Sequence, residues 1–257
     1  MKRLLILSCL LAVLLPAYAQ EYSKALGNNQ RIILLLNKSE VKVEGYDGKE
    51  IKITALDYEK PPERAAGLRP LYNSAQDNTG IGISVTEEKG DVVIREASNQ
   101  GGEYILKLPK NARLSVEQLN WNGLEINVQD MKNEVEVQAK NADIRLTGVQ
   151  GPIIANSTSG EIEIIYSALA PNSVNMISTV ASDVDVTMPK GAKADFVLQS
   201  VTGEIYTDMD IKLKREKEDG EMRLVGGGQT IEGSTNGGGP EVGIKTISSN
   251  IYLRKAE

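Results

Sequence analysis

The stretch Glu161-Ile162-Glu163-Ile164 shows the pattern that decides the fold, because acidic and β-branched residues alternate in it. The same pattern returns at three other places in the second half of the chain: Glu134-Val135-Glu136-Val137, Asp143-Ile144-Arg145-Leu146 and Asp183-Val184-Asp185-Val186. A period of two residues is typical of a β-strand with one buried and one solvated face. A short strand unit that recurs along a chain predicts a stacked solenoid, in which each unit buries its apolar face against its neighbours.

The spacing of the copies predicts the size of one coil. The first inward-facing residues fall at positions 124, 135, 144, 153 and 162, mostly nine residues apart, and the next intervals, to 184 and 205, lengthen to 22 and 21 residues. Nine residues allow a strand of about five residues and a tight corner, so two such segments make one coil. We expect an all-β fold in which Val135, Ile144, Ile162 and Val184 stack in one buried row.

The first 19 residues have the features of a secretory signal peptide. Lys2-Arg3 forms a positively charged N-terminal region, residues 4–15 are apolar, and Ala17-Tyr18-Ala19 is a small-x-small cleavage site. The apolar run is shorter than the roughly 20 residues that a membrane-spanning helix needs. The alternative is an uncleaved anchor. We therefore expect residues 20–257 to form a single domain that is exported to the periplasm, cell surface or medium and is not inserted in the membrane after cleavage.

The composition of residues 20–257 excludes several classes of function. The chain has no His, and its one Cys, Cys9, lies in the leader, so catalysis of the Ser-His-Asp or Cys-His type is excluded. Transition metals lack their usual ligands, and we expect no cofactor and no metal. Without Lys2 and Arg3, 27 basic residues stand against 35 acidic ones, a net charge of −8. This charge argues against binding to nucleic acid or to an anionic membrane.

Two segments interrupt the strand pattern and are predicted to be surface loops. Residues 61–80 contain Pro61-Pro62 and Pro70, and residues 212–223 are crowded with charges of both signs. Earlier in the chain, Tyr46-Asp47-Gly48 joins two alternating strands. This turn predicts a β-hairpin.

The end of the chain resembles a known family. Gly237-Gly238-Gly239-Pro240-Glu241-Val242, followed by Thr246-Ile247-Ser248-Ser249-Asn250-Ile251, is similar to the closing signature of the DUF4097 family, exported bacterial proteins provisionally described as adhesins. Further matching stretches are Gly151-Pro152-Ile153-Ile154, Ser157-Thr158-Ser159-Gly160-Glu161-Ile162 and Met188-Pro189-Lys190-Gly191-Ala192, with Gly67-Leu68-Arg69-Pro70-Leu71 and Asp77-Asn78-Thr79-Gly80-Ile81-Gly82 similar to versions from Bacteroidetes-type bacteria. The resemblance implies a right-handed, single-stranded β-helix-like solenoid of short strands. It implies no established activity.

One detail departs from the family pattern. The family usually has Gly-Asp or Gly-Asn at its corners, and this chain has Ser182-Asp183 and Ser249-Asn250 instead. These corners must either turn without a positive φ angle or hold a strained residue.

The acidic side chains of the repeat are the first candidate site. Glu161, Glu163, Asp183 and Asp185 are the candidates for ligand binding, and stacking could align them on one outer face with Glu134, Glu136 and Asp143. Paired carboxylates can act as acid and base on glycosidic bonds or bind Ca²⁺. The alternative is a solvated face, because these residues occupy the outward strand positions that solubility requires. Asp208-Met209-Asp210 lacks the further ligands of a Ca²⁺ loop.

Trp121 is the second candidate. It lies in a predicted corner between Asn120 and Asn122, where it could offer a stacking surface to a glycan. The alternative is that Trp121 caps one end of the solenoid or fills a gap.

The sequence favours an exported, non-enzymatic protein that acts by interaction at the cell envelope or surface, in the manner of an adhesin. Its partner would be a surface glycan, or an envelope or host protein. A carbohydrate-active hydrolase or lyase on a β-helix scaffold is one alternative, and an accessory domain in envelope-stress signalling is another. The oligomeric state stays open.

Overall fold

The computed structural model describes residues 20–65, 67–68, 71, 75–214 and 230–257. The described chain is almost entirely β-structure, with one short 3₁₀ helix at Glu63–Ala65. The strands are β1 (Gln20–Ala25), β2 (Arg31–Leu36), β3 (Glu40–Tyr46), β4 (Glu50–Ala55), β5 (Ile83–Glu88), β6 (Asp91–Glu96), β7 (Glu103–Pro109), β8 (Arg113–Gln118), β9 (Leu124–Gln129), β10 (Val135–Gln138), β11 (Ala142–Val149), β12 (Ile153–Ser157), β13 (Ile162–Tyr166), β14 (Val174–Thr179), β15 (Val184–Met188), β16 (Ala194–Ser200), β17 (Ile205–Thr207), β18 (Lys212–Leu213), β19 (Thr230–Thr235), β20 (Glu241–Thr246) and β21 (Ile251–Lys255).

The strands form two sheets that enclose one apolar core. Sheet A has the order β1-β4-β7-β3-β9-β11-β13-β15-β21-β17, and sheet B has the order β18-β19-β16-β20-β14-β12-β10-β8-β2-β6-β5. One strand of sheet B followed by one strand of sheet A makes a coil, and the coils stack by parallel pairing. Numbered from one end of the stack, coils 1 to 8 are β6/β7, β2/β3, β8/β9, β10/β11, β12/β13, β14/β15, β20/β21 and β16/β17. The predicted all-β solenoid of short strands is confirmed.

Inward-facing residues stack in rows, as the two-residue period requires. Ile144, Ile162 and Val184 lie in register in sheet A, and all three are at most 1% exposed. Val135 is equally buried, but it pairs with Ile153 in sheet B. The prediction of one row for all four residues is therefore wrong for Val135. The nine-residue interval spans half a coil, so successive copies of the repeat face each other across the core instead of stacking directly.

The stack does not follow the order of the chain at its ends. Coil 2, from the N-terminal part of the chain, lies between coils 1 and 3, and coil 7, from the C-terminal end, lies between coils 6 and 8. Each of these coils therefore has a neighbour on both sides. Every backbone donor and acceptor of a strand flanked on both sides can find a partner in the ladder.

Antiparallel strands extend both ends of the stack. At one end β4 and β1 follow β7 in sheet A, and β5 follows β6 in sheet B; at the other end β19 and β18 follow β16 in sheet B. The predicted hairpin at Tyr46-Asp47-Gly48 is wrong, because β4 pairs with β7 and not with β3. β7 occupies the place beside β3 that the hairpin would have given to β4.

The two predicted loops differ in outcome. Of residues 61–80, the described part includes the 3₁₀ helix and the exposed Leu68 and Leu71, while positions 66, 69, 70 and 72–74 lie outside the described residues. In the second segment, Lys212–Leu213 pairs antiparallel with β19, so the predicted loop begins as a strand. Residues 215–223 lie outside the described part of the chain, as does the predicted leader, residues 1–19.

The corners at Ser182 and Ser249 turn without a positive φ angle. Glycine stands at the equivalent place in three other coils, at Gly102, Gly160 and Gly203, and at Gly160 and Gly203 it is required by contact and not by conformation. A Cβ atom would lie 1.7 Å from the Ala142 carbonyl oxygen in the first case and 2.0 Å from that of Ser249 in the second.

Candidate interaction surface

The predicted site residues lie on one side of the solenoid, where the chain leaves sheet B and enters sheet A. Successive corners on this side are joined by backbone hydrogen bonds, such as those from Ser248 N to Val180 O (3.1 Å) and from Thr202 N to Ile247 O (3.0 Å). Side chains at equivalent corner positions therefore form columns along the stack. We call this side, with the adjoining outer face of sheet A, the corner side.

Buried polar side chains hold these corners from the inside. Both carboxylate oxygens of Glu96, a residue only 7% exposed, accept hydrogen bonds from the backbone N–H of Lys38, and one of them also accepts from Asn37 and Ser39 at 2.8 and 2.9 Å. Gln118 Oε1 likewise accepts hydrogen bonds from Lys140 N and Asn141 N, at 2.9 Å each. Corners that are hydrogen-bonded from within are rigid supports for the side chains that they present to solvent.

An acidic column runs along the corner side, one residue before the first inward row of sheet A. In coils 1 to 8 the position is held by Glu103, Glu40, Glu125, Asp143, Glu161, Asp183, Asn250 and Glu204. Seven of these eight side chains are carboxylic acids, and parallel strands lie about 4.8 Å apart. Like charges that face each other on neighbouring strands repel, so this column is destabilising in the absence of a counter-charge.

Some side chains of the acidic column also accept hydrogen bonds from the backbone of the next coil. Asp143 Oδ1 accepts a hydrogen bond from Glu161 N (2.9 Å), Asp183 Oδ1 accepts one from Asn250 N (2.8 Å), and Asn250 Oδ1 accepts one from Glu204 N (2.9 Å). Within the described part of the chain, no lysine or arginine forms an ion pair with a carboxylate of the column.

The carboxylates predicted to share one face are in fact divided between the two sheets. Glu134 and Glu136 lie on sheet B, where Arg31 forms ion pairs with both at 2.6 and 2.8 Å. Glu161 and Asp183 belong to the acidic column of the corner side. The expectation of a single carboxylate face is therefore wrong, because half a coil separates the copies at Glu134 and Asp143.

Glu163 and Asp185 lie further along the outer face of sheet A and have arginine partners. Arg145 Nε stands 2.8 Å from Glu163, and Arg254 Nε stands 2.8 Å from Asp185. The hydrogen bond that Arg254 donates to Asp185 raises the pKa of the guanidinium above its usual value. Each of these ion pairs joins two neighbouring coils of sheet A.

The same outer row ends in two stacked tyrosines, which the sequence alone did not indicate. The rings of Tyr206 and Tyr252 lie 5.4 Å apart and nearly parallel, and the Arg254 guanidinium lies 5.3 Å from the centre of the Tyr252 ring. Tyr206 is half exposed. The register of β17 on β21 brings the two rings together, so an alignment of the last two coils would have been needed to find them.

Exposed apolar side chains stand beside the acidic column. Val180, Ile247 and Val201 occupy the same corner position in coils 6, 7 and 8 and are 41%, 50% and 42% exposed. Leu119 and Trp121 stand at the corner of coil 3, with Trp121 60% exposed. These five residues are called the corner ridge below.

Trp121 is positioned by its backbone. Its carbonyl oxygen accepts a hydrogen bond from Asn141 Nδ2 (3.1 Å), and the next carbonyl, that of Asn122, accepts one from Gln118 Nε2. The indole points from a corner in the middle of the stack and is exposed, so the alternative that it caps the solenoid or fills a gap is wrong. It is available for stacking.

The described residues contain no group of three or more His, Cys, Asp or Glu side chains arranged to hold a metal ion. A cavity beside the acidic column is lined by Glu40, Glu103, Glu125 and Leu56, among others. Its volume of about 230 Å³ is below the roughly 300 Å³ at which small-molecule pockets begin. Depressions of about 510 to 650 Å³ lie elsewhere and contain none of the predicted site residues. The corner side is suited to contact along a surface more than to enclosure of a small ligand.

Fold and surface together define an all-β solenoid with one long side that is acidic and partly apolar. The sequence profile of the Toastrack DUF4097 family matches residues 82–251, well over half of the chain. The protein therefore belongs to this family. Coil 2 precedes the matched region in sequence, yet it lies inside the stack between two matched coils.

Two solved structures are similar to this chain at low identity. A protein from Clostridium sporogenes, provisionally described as a cell adhesion protein, is 12% identical with a TM-score of 0.48, over 93% of this chain and 100% of that one. A protein from Bacteroides fragilis, provisionally described as an adhesin, is 10% identical with a TM-score of 0.39, over 92% of this chain and 96% of that one. A comparison with curated proteins found no match. In the described residues, no helix is long and apolar enough to cross a membrane.

Proposed function

We propose that this protein is an exported, non-enzymatic interaction protein of the cell envelope or surface, and that it binds its partner with the corner side. The observation that carries the proposal is the corner ridge, where Trp121 and Ile247 are each at least half exposed on backbone that is hydrogen-bonded from within. Exposed apolar groups on a rigid support are typical of binding surfaces.

The state of the carboxylates supports binding more than catalysis. Glycoside cleavage needs one carboxyl group that can donate a proton and a second one nearby. Glu163 and Asp185 are each ion-paired with an arginine, and Asp183 accepts a backbone hydrogen bond. Each of these three carboxylates is thus held by a partner within the fold.

A binding screen with matched variants tests the proposal. The purified protein is presented to glycans, host matrix proteins and solubilised envelope fractions, beside the variant Val180→Ser/Ile247→Ser and the control Val174→Ser/Met176→Ser. The control pair has similar exposure, about 51% each, but lies on the outer face of sheet B. We expect binding to one of these classes, at least tenfold weaker for the corner variant and within twofold for the control. Equal binding by both variants, or turnover of a polysaccharide, would contradict the proposal.

Export is tested separately by sequencing the N-terminus of the protein recovered from the envelope or medium. We expect Gln20 as the first residue. Recovery of the chain with Met1 from the cytoplasm would contradict this part of the proposal.

A further inference from the structure

The corner side combines two features that a single partner would have to match. The acidic column is continuous through coils 1 to 6 and resumes at coil 8, and the corner ridge beside it has members in coils 3, 6, 7 and 8 but none in coils 4 and 5. The two nearest corner lysines form no ion pair with the column: Lys38 Nζ donates to Asn99 O (3.0 Å), and Lys140 Nζ donates to Leu119 O (2.6 Å).

We propose, on the basis of the function proposed above, that the partner of the corner side is a cationic amphipathic polypeptide segment. Its lysine or arginine side chains lie along the acidic column, and its apolar side chains cover the corner ridge. Charge complementarity carries this choice, since the column contains seven carboxylates with no ion pair among the described residues. An anionic partner would meet repulsion along the whole column, and a neutral glycan would leave the repulsion between the carboxylates in place.

The spacing of the column suits a helical partner. Neighbouring coils are about 4.8 Å apart, and an α-helix rises about 5.4 Å per turn, so a helix along the stack brings one basic side chain to nearly every coil. Residues three or four positions apart lie on the same face of a helix, which places an apolar stripe beside the basic one. From its first member in coil 3 to its last in coil 8 the ridge spans about 24 Å, the length of about 16 helical residues, with a gap at coils 4 and 5.

Trp121 makes the test direct, because it is the only tryptophan in the chain and lies on the corner ridge. The probe is a 14-residue helical peptide without tryptophan, Leu-Lys-Lys-Leu-Leu-Lys-Leu repeated once, and the control peptide has glutamate for every lysine. The lysine peptide should shift Trp121 emission to the blue in a saturable way. Its affinity should fall at least tenfold between 20 and 200 mM NaCl, and the glutamate peptide should not bind.

Two triple variants of equal net charge distinguish binding at the column from general attraction of the lysine peptide to an acidic protein. Glu40→Gln/Glu125→Gln/Glu161→Gln removes charge from the column, and Glu59→Gln/Glu63→Gln/Glu117→Gln removes the same charge elsewhere on the exposed surface. We expect the first to bind the lysine peptide at least tenfold more weakly and the second within twofold of the original protein. Equal affinities, or binding with no change in Trp121 emission, would overturn the inference.

The proposed function can survive that result. If the lysine peptide fails to bind while a glycan or envelope partner still depends on Val180 and Ile247, the cationic partner is excluded and the corner side remains the binding surface. If the Val180→Ser/Ile247→Ser variant also binds every partner as the original protein does, both proposals are excluded.

Discussion

Gly160 in the corner of coil 5 lies directly against the Ala142 carbonyl in coil 4. A Cβ atom at Gly160 would stand 1.7 Å from that carbonyl oxygen and 2.3 Å from its carbon. The hydroxyl of Ser157 donates to the same oxygen (3.2 Å) and accepts from Gly160 N (2.9 Å). The corner is thus closed by backbone contact, with no room for a side chain to move aside.

The first prediction concerns this contact. Gly160→Ala must push two coils apart, so we expect it to lower the free energy of unfolding by about 3 kcal/mol. Gly123→Ala is the control, because its Cβ atom would meet only Asn141 Nδ2, at 3.8 Å, and its cost should be within about 0.5 kcal/mol. Urea unfolding followed by circular dichroism measures both. Equal stability of the two variants would show that the corners are not closed in this way.

The second prediction concerns Asn175, a fully buried amide in the core of sheet B. Its Oδ1 accepts hydrogen bonds from Ile153 N (3.0 Å) and Tyr166 Oη (3.3 Å), and its Nδ2 donates to Glu241 O (3.1 Å). Asn175→Ala leaves these groups without a partner, and we expect a loss of about 2–4 kcal/mol in the same unfolding experiment. The exposed-face control Asn127→Ala should change little. A small effect of Asn175→Ala would mean that water replaces the amide.

The third prediction follows from repulsion in the acidic column. Glu125→Gln/Glu161→Gln should raise the melting temperature in 10 mM NaCl by about 1–4 °C, and the difference should vanish in 1 M NaCl, where charges are screened. Differential scanning calorimetry at the two salt concentrations measures it. Glu59→Gln/Glu117→Gln, which neutralises two exposed carboxylates outside the column, should leave the melting temperature unchanged. A lower melting temperature for the column variant would indicate that these carboxylates stabilise the free protein.

The fourth prediction concerns stability in acid. Partial burial works to raise the pKa of Asp77, but hydrogen bonds from Gly82 N, Thr79 N and Gly80 N outweigh it and hold the pKa below its usual value. Because the folded pKa lies below the unfolded one, the stabilisation is present above about pH 4 and is lost as the pH falls through the folded pKa.

Asp77→Asn removes the titrating group and keeps one acceptor oxygen. The variant should therefore lose less stability than the original protein between pH 6 and pH 2.5, as measured by urea midpoints. Glu59→Gln is the exposed control and should follow the original protein. An unchanged pH dependence in Asp77→Asn would show that this carboxylate does not contribute to acid unfolding.

The alternation of residues in the repeat was enough to predict the fold class and the buried positions. Ile144, Ile162 and Val184 are buried because each occupies the inward place of a short strand, and that place can be read from the period of two. Val135 was assigned to the wrong sheet because the period of nine residues does not distinguish a full coil from half of one. Which of the two sheets a strand joins depends on where the corners lie, and the positions of the corners cannot be read from a local pattern.

The order of the stack could not be predicted from local sequence. β4 follows β3 after a turn of hairpin type, but β7 takes the place at the edge of β3, and coil 7 enters between two coils that are nearer to each other in sequence. These placements are set by long-range pairing. For the same reason the acidic column and the Tyr206–Tyr252 pair emerged only when the coils were placed in register, although Glu161 and Asp183 had been singled out.

The central claim is that the corner side faces the partner, and hydroxyl-radical footprinting tests it most directly. The protein is labelled free in solution and while bound in its envelope fraction, and oxidation of side chains is measured by mass spectrometry. Trp121 and Ile247 report on the corner ridge, and Val174 and Met176, with similar exposure, report on the outer face of sheet B. We predict that Trp121 and Ile247 are protected in the bound state while Val174 and Met176 remain reactive. Protection of Val174 and Met176 with Trp121 and Ile247 still reactive would contradict the account.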